Sequence, residues 1–251
     1  MKRLGMAVFV LGCILGLVPG KAFSETAVYV YGGQAHTRNH QLTISQEGKD
    51  NYLVFDDVEF RDESYGGPIY YGFRVSHFFQ NHPHLGVEVE FFHPKAIAEV
   101  DQKVKVKGKY RGEPVDETVK MDKYVQSWEI SHGFNFLLVN FAYRYGFFKT
   151  DKVPYGRIQL LARAGAGPTI LHPESRVDNE KHYIDKGGYE FGDLGFQLSP
   201  GVEFNIFRGL NGFLEYKYTY TEIDHATIKY GDSKTVFESD HFAFGLSYHF
   251  K

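Results

Sequence analysis

The sequence predicts an all-β chain, an eight-stranded antiparallel transmembrane β-barrel. Three observations predict it. Side chains alternate with period 2 in eight stretches, an apolar face against a small or polar one. The connections between those stretches alternate between long and short. And 18 Tyr and 23 Phe in 251 residues are an aromatic load suited to membrane interfaces.

The first 24 residues read as a leader. Met1-Lys2-Arg3 is basic, Leu4 to Val18 is apolar, and Ala22 and Ser24 put small residues at the −3 and −1 positions of a cut after Ser24. About 15 apolar residues are short for a spanning helix, which needs roughly 20. A lipoprotein signal at Leu11-Gly12-Cys13 fits poorly, because the apolar run continues past the cysteine. Two segments follow, a signal peptide at 1–24 and one barrel domain at 25–251. Cys13 is the only cysteine, so the exported chain has no disulfide and no thiol chemistry. Losing Lys2, Arg3 and Lys21 takes the 28 basic residues to 25 against 31 acidic ones, a mild negative charge that argues against nucleic acid as a partner.

The strands are justified in order. Ala27–Ala35 sets Tyr29 and Tyr31 against Val28 and Val30, and which face looks inward stays open. Ile69–Phe79 sets Tyr71, Phe73, Val75 and Phe79 against Gly72, Arg74 and Ser76. His84–Phe92 sets Leu85, Val87, Val89 and Phe91 against Glu88 and Glu90. Phe134–Tyr145 sets Leu137, Val139, Phe141, Tyr143 and Tyr145 against Asn140, Ala142 and Arg144. Tyr155–Thr169 sets Ile158, Leu160 and Ala162 against Arg157, Gln159 and Arg163. Leu194–Ile206 sets Phe196, Leu198, Val202 and Phe204 against Gln197, Ser199, Gly201 and Glu203, with a local irregularity or bulge expected at Pro200, which has no N–H to give. Gly212–Ile223 sets Leu214, Tyr216, Tyr218 and Tyr220 against Glu215, Lys217 and Thr219. In the last, Phe242, Phe244, Leu246, Tyr248 and Phe250 face lipid, while Ala243, Gly245, Ser247 and His249 face a tight polar lumen.

Short links at 80–83, 146–154 and 207–211 alternate with long ones at 36–68, 93–133, 170–193 and 224–240. Short periplasmic turns and long outer loops sort in this way; a β-sandwich, the competing architecture, has no reason to. Within the loops, Asn51–Phe60, Lys103–Tyr110 and Tyr124–Ile130 read as strand extensions, and Gln102-Lys-Val-Lys-Val-Lys-Gly-Lys-Tyr110 as a hairpin above the membrane.

The inward faces collect Arg74, Arg144, Arg157, Arg163 and Lys217 against Glu88, Glu90, Glu203 and Glu215. An eight-stranded barrel has room only for side chains, and buried charges must pair or neutralise. Interlocked ion pairs would plug the lumen; a narrow gated pore and a catalytic carboxylate are the other readings.

Tyr65-Gly-Gly-Pro-Ile-Tyr-Tyr-Gly72, Leu85-Gly-Val-Glu-Val-Glu90, Gly156-Arg-Ile-Gln with Ala164-Gly-Ala-Gly-Pro168, Ser199-Pro-Gly-Val-Glu-Phe204, Leu214-Glu-Tyr-Lys-Tyr218 and the terminal strand are loose β-signals. Through them most of the exported chain resembles the outer-membrane β-barrel family of outer membrane protein A-like and X-like eight-stranded barrels. Phe242, Phe244, Gly245, Leu246, Tyr248 and Phe250 are similar to that family's carboxy-terminal assembly signal, with Lys251 trailing where an aromatic residue usually ends the chain. The resemblance implies the outer membrane as location, outer-membrane lipids and lipopolysaccharide as surroundings, and the barrel-assembly machinery as a partner of the last strand. It implies no cofactor, and a monomer is expected. Fold does not choose between structural barrels, adhesins and lipid-modifying enzymes.

No His-x-Ser of the lipid A 3-O-deacylase kind occurs. Ser76-His77 and Ser131-His132 are adjacent, and neighbours on a strand face opposite sides. His82-Pro-His84 could pair two imidazoles but has no third ligand, and the acidic run Asp56, Asp57, Glu59, Asp62 and Glu63 reads as a solvated face or a divalent-cation site. Ala164-Gly-Ala-Gly-Pro168 lacks the Lys-Ser/Thr of a phosphate loop. The expected function is non-enzymatic: envelope integrity, or binding of an external ligand by loops 36–68 and 93–133. A lipid A-modifying enzyme and a passive pore are the alternatives.

Overall fold

The computed structural model describes residues 23–183 and 188–250; the leader up to residue 22 lies outside the described residues. Among the described residues the chain forms seventeen strands rather than eight, and the additional ones lie in the segments read as loops. They are β1 (Phe23–Thr37), β2 (His40–Gln46), β3 (Asn51–Val58), β4 (Phe60–Arg61), β5 (Tyr71–Phe79), β6 (His82–His93), β7 (Ala96–Ala98), β8 (Lys103–Tyr110), β9 (Glu113–Lys120), β10 (Val125–Ile130), β11 (Asn135–Phe147), β12 (Ile158–Leu171), β13 (Glu174–Val177), β14 (Glu180–Tyr183), β15 (Glu190–Phe207), β16 (Leu210–Ile228) and β17 (Gly231–Phe250).

Antiparallel pairing runs β1-β5-β6-β11-β12-β15-β16-β17. It returns from β17 to β1 over twelve residue pairs, from Thr26↔Phe250 to Thr37↔Ser239, so neither of these strands presents a free edge there. On this ring the alternation separates two environments. Val28, Val30, Phe73, Val75, Phe141, Phe196, Leu198, Leu214, Phe242, Phe244 and Phe250 are exposed outward, while Tyr29, Arg74, Glu88, Glu90, Asn140, Arg163, Gln197 and Lys217 are buried within. The open choice on the first strand resolves with its tyrosines inward: the Tyr31 hydroxyl donates to Glu90, and the Tyr29 ring lies against Phe213 with the Arg74 guanidinium 5.2 Å from its centroid. Gly72 is required by this packing, since a Cβ there would stand 2.1 Å from the Tyr31 ring.

Pro200 leaves a gap in the ladder, the local irregularity its missing N–H predicts, without a bulge. The β15–β16 pairing skips Ser199 and Pro200 and resumes at Gly201↔Glu215 in unchanged register, because Pro200 lies opposite Ala162 on the other side and the β12 ladder holds it in line.

At the end carrying the short turns, Gln80–Asn81 and Arg208–Gly209 are two-residue links. The other end continues as a second β-layer. Residues 224–240 are no loop: β16 and β17 run on to a turn at Lys229–Tyr230, with a register shift between Ile223 and Ala226. The upper part of β17 then pairs with β2, and the sheet continues through β3 and β8 to β9. A five-stranded sheet, β14-β13-β10-β7-β4, accompanies it. Leu42, Ile44, Leu53, Phe55, Val104 and Val106 are buried in one apolar cluster with Phe60, Trp128, Ile130 and Phe237. Trp128 Nε1–H donates to Ser233 Oγ at 2.8 Å, which satisfies its polar end. Each fully buried side chain of this size stabilises by about 1.5–3 kcal/mol, so the outer segments have their own reason to fold.

Candidate functional site

The interior is built from strand alternation. Every second residue of β5, β6, β12 and β16 points inward, which brings Arg74, Glu88, Glu90, Arg163, Glu215 and Lys217 into one layer with no side-chain exposure. Arg74 Nη2 lies 2.6 Å from Glu90 Oε1 and 2.6 Å from Glu215 Oε1. Arg163 Nε lies 2.8 Å from Glu88 Oε2, and its Nη1 lies 2.5 Å from Glu215 Oε2. Lys217 Nζ pairs with Glu90 and lies 2.9 Å from Glu215. Three cations thus meet three carboxylates and the layer is neutral, the condition for burying charge without a large penalty.

Neutral donors complete the shell. Asn140 Nδ2 donates to Glu90 Oε2 at 2.8 Å, Gln197 Nε2 donates to the same oxygen at 2.5 Å, and Ser76 Oγ donates to Glu88 at 2.8 Å. The Tyr31 hydroxyl also donates to Glu90. Gly165 leaves the room for this, because a Cβ there would stand 1.8 Å from Asn140 Oδ1.

A second cluster lies toward the short turns. Arg144 Nη2 is 2.6 Å from Glu25 Oε2. His249 stands between two carboxylates, with Nδ1 2.5 Å from Glu25 and Nε2 2.8 Å from Glu203. Arg144 also lies over the Phe78 and Tyr155 rings, 3.7 and 4.1 Å from their centroids. Toward the outer layer the filling turns aromatic: Phe92 stacks on Phe136 at 4.8 Å, Tyr70 lies 5.7 Å from His241, and His241 Nε2 meets Thr219 Oγ1 at 2.9 Å.

Of the nine charges expected in the lumen, eight are buried in these two clusters. Arg157 is the correction. It precedes the first residue of β12, follows Gly156 at φ +104°, and is exposed at the rim, so the strand alternation does not carry it inward. Glu25, Tyr31, Asn140, Gln197 and His249 belong to the same networks and were not counted as lumen charges. Tyr31, Asn140 and Gln197 carry no charge and a formal tally counts His249 as neutral, so a count of charges passes over them, and Glu25 abuts the leader. Their inward alternation was the available signal.

The outer layer carries the other candidate surface. Alternation on β8 puts Val104 and Val106 into the apolar core and Lys103, Lys105, Lys107 and Lys109 together on the opposite face. Lys105 pairs with Asp116 of β9, and Lys103 stands opposite Lys120. At the tip, Asp178 joins three outer segments. It accepts from Arg111 Nη2 at 2.8 Å, from Lys49 Nζ at 3.1 Å and from the Tyr110 hydroxyl at 2.5 Å. Burial pushes its carboxyl up, but the bonds from Tyr110, Lys49 and Arg111 outweigh that and hold it below the usual carboxylate range.

Ser131 and His132 overturn the expectation that neighbours stay apart. Residues 131–134 are not strand, and Ser131 Oγ lies 3.0 Å from His132 Nδ1. The nearest carboxylate, Glu174, approaches the same nitrogen at 3.4 Å. A relay needs the base and the orienting carboxylate on different nitrogens, which this arrangement does not offer. Ser76 and His77 do face opposite ways: Ser76 meets Glu88 inside, and His77 meets Thr26. His84 Nδ1 is 2.9 Å from the Arg144 carbonyl. Among the described residues no three His, Cys, Asp or Glu side chains are grouped to hold a metal. In the acidic run, Asp56 accepts from Gln41, Asp62 from the Ala35 N–H, and Glu63 pairs with Arg61.

A family model described as outer membrane protein beta-barrel domain matches residues 13–250. No curated protein sequence matches the chain. Among solved structures, Neisserial surface protein A (NspA) is 8% identical, with 89% of this chain and 96% of that one covered and a TM-score of 0.39. Ail, the attachment invasion locus protein of Yersinia pestis, is 12% identical over 91% and 99% of the two chains, with a TM-score of 0.36. The outer membrane protease OmpT of Escherichia coli is 8% identical over 93% and 99%, with a TM-score of 0.46.

Proposed function

The chain belongs to the outer membrane protein β-barrel domain family, and we propose that it is a non-enzymatic, non-conducting surface barrel whose outer layer binds a polyanionic partner. In this reading the leader is cleaved after Ser24 and the ring is an eight-stranded barrel in the bilayer. Both termini and the short turns are periplasmic, and the assembly machinery recognises the strand ending in Tyr248 and Phe250. The protein is a monomer surrounded by lipopolysaccharide.

The observation that carries the reading is the lysine row of β8. Lys103, Lys107 and Lys109 have no ion pair among the described residues. β8 lies between β3 and β9 rather than at a sheet edge. The lysines therefore do not serve as edge protection, which Pro114, Asp116 and Glu117 provide on β9 itself. Lys103 faces Lys120, which Asp101 already holds at 3.2 Å, so Lys103, Lys107 and Lys109 are the cations of the row left for an anion. The apolar core beneath holds the row in place, so binding costs little ordering.

The test is binding of a sulfated polysaccharide such as dextran sulfate to cells displaying the protein. Binding that falls steeply with salt, and about fivefold for each of Lys103→Gln, Lys107→Gln and Lys109→Gln, is expected, each step being about 1 kcal/mol, the scale of one exposed cation at a charged surface. Equal binding by the triple variant would sink the reading. A lost or gained acyl chain on lipid A from expressing cells would replace it with an enzymatic one.

A further inference from the structure

The short-turn end holds a cleft of about 940 Å³, at the upper end of the roughly 300–1,000 Å³ of small-molecule sites. We propose that this cleft binds the headgroup of an anionic glycerophospholipid from the inner leaflet; this rests on the orientation proposed above.

Two turns form its walls, the one joining β11 to β12 and the one joining β15 to β16. The Asn205 N–H donates to the Arg157 carbonyl at 2.8 Å, and the His249 N–H donates to the Gly209 carbonyl at 2.9 Å, so the walls are tied together before any ligand arrives. Lys152, Arg157 and Arg208 line the cleft, and no carboxylate side chain does. Among the described residues neither arginine has an ion pair. His249 also reaches the cleft, but its ring is committed to Glu25 and Glu203. The two arginines therefore bring positive charge to the cleft without a carboxylate of their own. Inside the same barrel every guanidinium has a carboxylate within 4 Å, which makes this gathering of unpaired arginines a feature of the rim alone.

The rest of the lining is apolar and continuous with the lipid-facing belt. Ile206, Phe207 and Phe250 line the cleft and are exposed. A ligand seated there meets guanidinium groups with one end and aromatic and aliphatic surface with the other. An anionic phospholipid has that division, a phosphate diester that accepts Arg hydrogen bonds joined to acyl chains that stay in the bilayer. Free inorganic phosphate satisfies only the first half.

Arg208 adds a second argument. Its φ is +51°, a left-handed conformation that Gly and Asn adopt at lower cost. A two-residue turn would fold more easily without Arg there, and Arg supplies a cation over the cleft with its guanidinium 4.9 Å from the Phe207 ring centroid. Strain kept at such a position points to use.

The test is native mass spectrometry of the purified full-length protein released from detergent with an equimolar mixture of phosphatidylglycerol and phosphatidylethanolamine. The wild type is expected to retain phosphatidylglycerol preferentially. Arg157→Gln and Arg208→Asn should each weaken that preference about fivefold, equivalent to about 1 kcal/mol per cation. Arg208→Asn should at the same time raise the unfolding midpoint, since Asn suits the left-handed turn, so loss of lipid cannot be ascribed to a damaged fold. Equal retention of the two lipids by the wild type, or an unchanged preference in the double variant, overturns the proposal. Displacement of the lipid by 10-fold excess inorganic phosphate over lipid would reassign the site to a free anion. Orientation is tested separately by single-cysteine labelling in intact cells. Asp116→Cys should react and Asp151→Cys should not. The reverse would overturn the orientation while leaving the lipid preference measurable.

Discussion

Arg74 gathers Glu88, Glu90 and Glu215 around one guanidinium. Arg74→Leu leaves three carboxylates to Arg163 and Lys217, so one buried charge goes uncompensated. A stability loss of about 3–5 kcal/mol is expected in urea unfolding from lipid vesicles. The Arg74→Leu/Glu90→Leu pair restores neutrality and should recover part of it; a double variant as unstable as the sum of its singles would refute the balanced-layer account. Asp178 makes the corresponding argument outside the membrane. Its carboxyl lies below the ordinary Asp value of about 3.9, so the clasp contributes fully above that value and is lost as the pH falls through the lower folded one. Amide exchange at the tip, corrected for intrinsic rate, should stay flat from pH 7 to 5 and rise only below about pH 4. Asp178→Asn should show the raised exchange already at pH 7. These contacts join residues such as 49, 111 and 178, and nothing in local sequence pattern announces a partner so far away.

At the scale of elements, β8 was readable to the residue because Lys-Val-Lys-Val alternation has a single strand interpretation. Residues 224–240 were not. Gly231, Asp232 and Ser233 carry turn chemistry, but pairing with β16 and β2 keeps the segment in strand; tertiary pairing overrides propensity there. The outer layer follows from that pairing. Phe55→Ala, in its apolar core, should cost about 3–5 kcal/mol. The expected outcome is faster exchange and lost polyanion binding in β2, β3 and β8, with the heat-resistant folded band of the ring unchanged on electrophoresis. A uniform loss of both would show that the two halves fold as one unit.

For the whole molecule, closure of β17 on β1 and the filling of the interior make one physical statement. The side chains that satisfy one another's charge also occupy the space a permeant would need. Planar-bilayer conductance of the folded protein is expected to stay near that of bare bilayer, and stepwise openings of a defined size would refute this. Arg157 shows how a rim differs from a lumen: alternation assigns it to the inside, but the strand begins only one residue later, at Ile158.

Apart from the first strand, whose facing stayed open, and Arg157 at the rim, the sequence by itself determined which residues of the strands look outward and which inward, since a period-2 pattern with an aromatic face has one arrangement in a strand. It also set the order of short turns and long links. Only the tertiary structure decided which charges meet, because pairing depends on strand register across the ring and not on neighbours along the chain. The same holds for the outer segments: they fold as a β-layer because Leu42, Phe55, Val106 and Trp128, from separate links, bury one another.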